Sequence, residues 1–90
     1  MSTNSTVTSV ASSASSVTLI AANPDRNDLW ITNKSTAILY LLLGGGVATA
    51  TTAHSIQMAA NTNINLGKFR GAISGIWASA NGSAQITELE

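Results

Sequence analysis

The chain has 90 residues, 44% of them hydrophobic and 9% charged, with four Lys and Arg balancing four Asp and Glu and no cysteine. This length fills one small core, because a second would bury too little apolar surface to offset the entropy of ordering its chain. The charge balance supplies neither the basic footprint of a nucleic-acid-binding protein nor the polybasic segment of a membrane-surface one, and without thiols there are no disulfides or thiolate metal sites. Solubility therefore rests on Ser, Thr and Asn. A surface so poor in charge costs little to desolvate, which favours burial against other subunits.

Residues 1–15 are a low-complexity Ser/Thr/Ala segment punctuated by Val7 and Val10. They are too polar to bury much alone and are expected to form an extended N-terminal arm, either a mobile tail or one ordered by a neighbouring subunit. They contain neither a basic n-region nor an apolar h-region, so a chain made and kept in the cytoplasm before use is expected. From Ser16 onward apolar residues alternate in short bursts bounded by turn residues, the pattern of β-structure with no helix of useful length. Residues 16–90 are read as a single β-sandwich domain.

The bursts follow in order. Val17 and Leu19 alternate with Thr18 and Ile20, and AANPDRND ends that strand because Pro24 has no N–H and Asn and Asp favour turns. Leu29 and Ile31 share one face and Trp30 takes the other. In AILYLLL, Ile38, Tyr40 and Leu42 point one way and Ala37, Leu39, Leu41 and Leu43 the other, so both faces are apolar. A neighbouring subunit is expected to cover the second face. Ile56 and Met58 mark a strand, AANTN a turn, and Ile64 and Leu66 another strand. Gly75 interrupts the alternation between Ile73 and Trp77, which predicts a bulge there. Asn81-Gly82 predicts a hairpin joining AISGIWASA to SAQITELE. The sum is an all-β fold, a small antiparallel β-sandwich or jelly-roll-like barrel of about seven to eight short strands.

The motifs that could carry chemistry read as structural. Residues 35–53 carry no charge, but their seven continuous apolar residues fade into glycines and a Thr/Ala segment, which suits a doubly buried strand better than a membrane span. Gly44, Gly45 and Gly46 precede neither Lys-Ser nor a helix pattern and read as a turn, not a phosphate loop. His54 has no second imidazole or thiol with which to share a metal, and the pairs Asp25/Asp28 and Glu88/Glu90 lack a visible sugar-stacking cleft, so neither an enzyme nor a metal or cofactor site is expected. N-x-S/T triplets begin at Asn4, Asn33 and Asn81, as a chain rich in these residues produces by chance. Arg26, Asp28, Arg70 and Glu88 are candidate structural ion pairs, able to lock the turn after the first strand to the closing strand or to a neighbour, with solvated surface charge as the alternative. Trp30 and Trp77 read as core or sheet-face packing, or as interface anchors.

The order LIAANPDRNDLWITNKSTAILYLLLG, a Thr-rich loop, an apolar strand with a turn, and GAISGIWASANGSAQITELE resembles a recurring small domain of tailed-phage virion proteins. The resemblance covers about residues 15–90. It rests on an Asn-Pro-x-Arg turn (Asn23, Pro24, Arg26), an L-x-I-x-N-x-S strand (Leu29, Ile31, Asn33, Ser35), a Y-L-x-L-G strand (Tyr40, Leu42, Gly44), and a closing strand with Ile73, Ile76, Trp77 and Glu88. Where that family has Pro-Gly in a turn before the penultimate strands, this chain has AANTN at residues 59–63. The resemblance implies a structural role in a virion, as a capsid decoration (cement) protein bound outside the head where capsomers meet. Its partners would be the major capsid protein and copies of itself, commonly as a trimer. The contact surface would draw on Val7, Val10, Trp30, Tyr40, Leu41, Leu43 and Trp77. The alternative is a head or tail fibre or adhesin module that recognises host-surface carbohydrate, with Trp30, Tyr40 or Trp77 stacking on sugar faces.

Overall fold

A computed structural model describes residues 4–90. Eight strands run in chain order: β1 (Ser5–Ala11), β2 (Val17–Ile20), β3 (Asp28–Ser35), β4 (Leu39–Leu43), β5 (Ile56–Met58), β6 (Asn63–Asn65), β7 (Ile73–Trp77) and β8 (Gly82–Leu89). They form two four-stranded antiparallel sheets, ordered β1-β8-β3-β6 and β2-β7-β4-β5. There is no helix among the described residues. The protein is an all-β sandwich.

The topology is that of an antiparallel ribbon folded over on itself. β4 pairs with β5, β3 with β6, β2 with β7 and β1 with β8, and these pairs alternate between the two sheets. β3–β8 and β4–β7 ladders then join two ribbon pairs into each sheet. This is the eight-stranded jelly-roll arrangement. Among these eight described strands, β4 and β5 alone are consecutive and share a sheet, so every other connection between them crosses the sandwich.

That crossing overturns the hairpin expected at Asn81-Gly82. β7 and β8 lie in different sheets, and residues 78–81 bridge them. Gly82 is needed for another reason: it faces Ser35 across the β3–β8 ladder, where an added Cβ would lie 2.6 Å from the Ser35 Cα and closer still to the Lys34 carbonyl. The bulge expected at Gly75 is also displaced. β7 keeps its alternation, with Gly75 facing inward beneath Leu19 and Leu39, and the register breaks instead on β2 between Thr18 and Ile20. Gly75 supplies space, and its partner strand supplies the extra residue.

Ser5–Ala11, inside the segment read as an N-terminal arm, lie along β8 of their own chain in unbroken register from Ser5↔Leu89 to Ala11↔Ser83. The backbone ladder holds them, because Val10 alone among the side chains of β1 packs against the core. Residues 1–3 of that segment lie outside the described residues.

The core fills the space between the sheets with Leu19, Leu29, Ile31, Leu39, Leu41, Ile73, Trp77 and Ile86, together with smaller residues and Met58. Period-two alternation places Leu29, Ile31, Asn33 and Ser35 of β3 inward. The opposite face of β4 is covered in part by the chain itself. Residues 44–55 fold back over it: Ala48 is buried outside the core cluster, its N–H donating to Ser16 Oγ (2.9 Å), and the His54 ring stands 4.8 Å from that of Tyr40. Gly44, Gly45 and Gly46 make the reversal possible, all three with positive φ.

Candidate functional site

Because β3 alternates, what is not core faces solvent, and Trp30 is the large hydrophobic residue of β3 that does so, at 43% exposure. The ladders align it in one cross-strand row, Val7–Thr87–Trp30–Asn65, spanning the whole sheet. The next row toward the sheet's other end reads Ser9–Gln85–Thr32–Asn63. On the other side Asp28 accepts a 2.7 Å hydrogen bond from Asn65 Nδ2 beside the indole. The outer face of this sheet therefore sets one exposed indole among amides and hydroxyls, with Val7 (56% exposed) at its edge and the charged Asp28 and Lys34 toward the two ends of β3. An indole in such a setting offers an apolar plane ringed by hydrogen-bonding groups, suited to a protein partner or to a sugar ring.

The other candidate contact residues separate. Leu41 is fully buried and Trp77 is 1% exposed, so both belong to the core and present nothing to a partner. Leu43 and Val10 are half-buried and pack against that core. Tyr40 lies on the opposite sheet from Trp30, half-buried under His54, whose Nδ1 is 3.0 Å from the Thr49 carbonyl, a contact that puts the ring proton on Nδ1. Of the seven, Trp30 and Val7 share an open face.

Of the four charged candidates, Arg26 and Glu88 meet: Arg26 Nε donates to Glu88 Oε2 at 2.8 Å. The fully buried guanidinium also donates to the carbonyls of Ala21 (2.7 Å), Phe69 (2.7 Å) and Gly71 (3.1 Å). One side chain so ties the end of β2, the β6–β7 crossing and β8 together, as the planar fork of arginine allows. Arg70 Nε donates to the Arg26 carbonyl instead of a carboxylate, and Asp28 accepts from Asn65 and from the Leu29 amide.

A second clamp was not read from the sequence. Asn33, fully buried, directs Nδ2 at the carbonyls of Ala37, Met58 and Ala59, while its Oδ1 accepts from Trp77 Nε1 (3.1 Å) and Ser35 Oγ (2.8 Å). Its backbone bonds to the β5–β6 turn through Thr62 and Asn61, where Asn61 takes a positive φ. The available signal was an amide on the inward side of the L-x-I-x-N-x-S alternation, where an apolar residue is the rule. Its buried Nδ2 also closes that N-x-S triplet to glycosylation. The Arg26 and Asn33 networks tie the crossings at opposite ends of β3, on either side of Trp30. Compared with known proteins, the chain matches no family model, no curated protein and no solved structure.

Proposed function

We propose that this is a virion structural protein of a tailed phage, a capsid decoration protein that binds outside the head at capsomer junctions and contacts the major capsid protein through the outer face of the β1-β8-β3-β6 sheet. The observation that carries the reading is Trp30, exposed among amide and hydroxyl side chains, with the two charges of this face, Asp28 and Lys34, toward the ends of β3. Binding surfaces are enriched in tryptophan, and an open sheet face suits a macromolecular partner. The jelly roll itself, used by capsid and lectin domains alike, is compatible with the proposal without selecting it. In this role the domain adds buried area across contacts that internal pressure would pull apart. It would be made in the host cytoplasm and carried on the particle.

Binding of purified protein to undecorated heads tests the reading. Trp30→Ala is expected to weaken occupancy by about 30-fold or more while the fold is retained. Unchanged occupancy would overturn the proposed face, and no occupancy by the unaltered protein would overturn the decoration role.

The same face supports a second reading, an adhesin module for host-surface carbohydrate. Trp30 would stack on a sugar face while Asn63, Asn65, Gln85 and Thr87 meet its hydroxyls. A glycan screen of the isolated protein, with Trp30→Ala as control, distinguishes the two: a hit lost in the variant favours the adhesin.

A further inference from the structure

A sandwich of two open sheets has four edge strands, and each exposed edge is a template for another strand unless something blunts it. Three of the four are blunted here. β5 and β6 are three residues each, and β2 is four residues with a break in register and Pro24 beyond it. β1 is different. It runs for seven residues in unbroken register, contains neither proline nor charge, and no charged residue precedes Asp25.

The phase of the ladder says which backbone groups β1 presents outward. The Glu90 amide donates to the Asn4 carbonyl and the Ser12 amide to the Gly82 carbonyl, so even-numbered residues of this segment bond to β8. In an antiparallel ladder the intervening residues then turn their N–H and C=O the other way. Ser5, Val7, Ser9 and Ala11 thus aim their backbone donors and acceptors at the open edge.

We infer that this edge pairs with β1 of a second copy, antiparallel about a twofold axis at Thr8, merging two four-stranded sheets into one of eight strands. The second copy is the occupant because the edge complements itself. With Thr8 opposite Thr8, Ser5 faces Ala11 and Val7 faces Ser9, so all four outward residues pair and about eight hydrogen bonds form. No charge meets its like across the axis, and the exposed Val7 gains a cross-strand neighbour. An isologous contact of this kind closes at two copies, so a trimer would need a different surface. The inference is independent of the virion reading.

Two measurements test it. Sedimentation of the unaltered protein is expected to show twice the 9.2 kDa chain mass. Ser9→Pro removes an outward N–H without taking a bond from β8, and it should weaken that dimer by about 100-fold with an unchanged circular dichroism spectrum. In this cysteine-free chain, Thr8→Cys should cross-link to itself on mild oxidation, because residues opposite each other in a non-hydrogen-bonded pair have Cα atoms about 4.5 Å apart. Thr6→Cys, on the same face, would stand about 13 Å from its copy and should not. A monomer at all concentrations, or an oligomer that survives Ser9→Pro and gives no Thr8→Cys cross-link, would overturn the inference.

Discussion

The guanidinium of Arg26 and the carboxylate of Glu88 meet at 2.8 Å across 62 positions of sequence, with Arg26 wholly out of solvent. A buried ion pair is not in itself stabilising, since desolvation offsets its attraction. Here the arginine also satisfies three main-chain carbonyls in crossings that have no ladder of their own. Removing it strands those acceptors.

Arg26→Ala should therefore cost about 3–5 kcal/mol in urea unfolding. Arg26→Lys should recover little, because an ammonium cannot reproduce the fork. Glu88→Gln keeps an acceptor and should cost about 1–2 kcal/mol. Equal losses for Arg26→Ala and Glu88→Gln would mean that the ion pair, and not the carbonyl contacts, dominates.

At the other clamp, Asn33→Asp turns a donor into a charge facing three carbonyl oxygens and should destabilise by at least about 3 kcal/mol. Trp77→Phe keeps an aromatic ring, though a smaller one, and deletes the Nε1–H that reaches Asn33, at about 2 kcal/mol. Thermal melts monitored by circular dichroism would check both.

Two glycines should respond unequally to alanine. At Gly75 the new methyl would lie 2.8 Å from Leu19 Cδ1, a side-chain end that can yield, and the overpacking should cost about 1–3 kcal/mol. At Gly82 it would meet the backbone of β3, which cannot yield without moving the ladder. Gly82→Ala should therefore lower the midpoint further than Gly75→Ala in the same urea titration.

The two tryptophans should report separately. Trp30→Phe leaves the buried Trp77, with blue-shifted emission resistant to acrylamide quenching. Trp77→Phe leaves the exposed Trp30, with red-shifted and readily quenched emission. Similar quenching in both variants would contradict the assigned burial.

Local alternation was legible in the sequence because the strand backbone has a fixed two-residue period. It placed Leu29 and Ile31 opposite Trp30, showed AILYLLL to be apolar on both faces, and made Gly44–Gly46 a turn. Tertiary structure alone decided which strands pair, and there local cues misled. Asn81-Gly82 crosses between sheets because β8 completes its ladders against β1 and β3, and the irregularity near Gly75 falls on β2. Glu88 stood among the candidate partners of Arg26, but the carbonyl partners of Arg26 and Asn33 were hidden for the same reason: every residue carries a carbonyl, so no side-chain pattern marks them. The exposed face around Trp30, with Asn65 and Thr87 beside it, exists because two ladders bring together residues 35 and 57 positions from it in the chain. A two-residue period can be read along the chain, whereas a register between distant strands is set by which combination buries the most apolar surface and leaves the fewest polar groups unpaired.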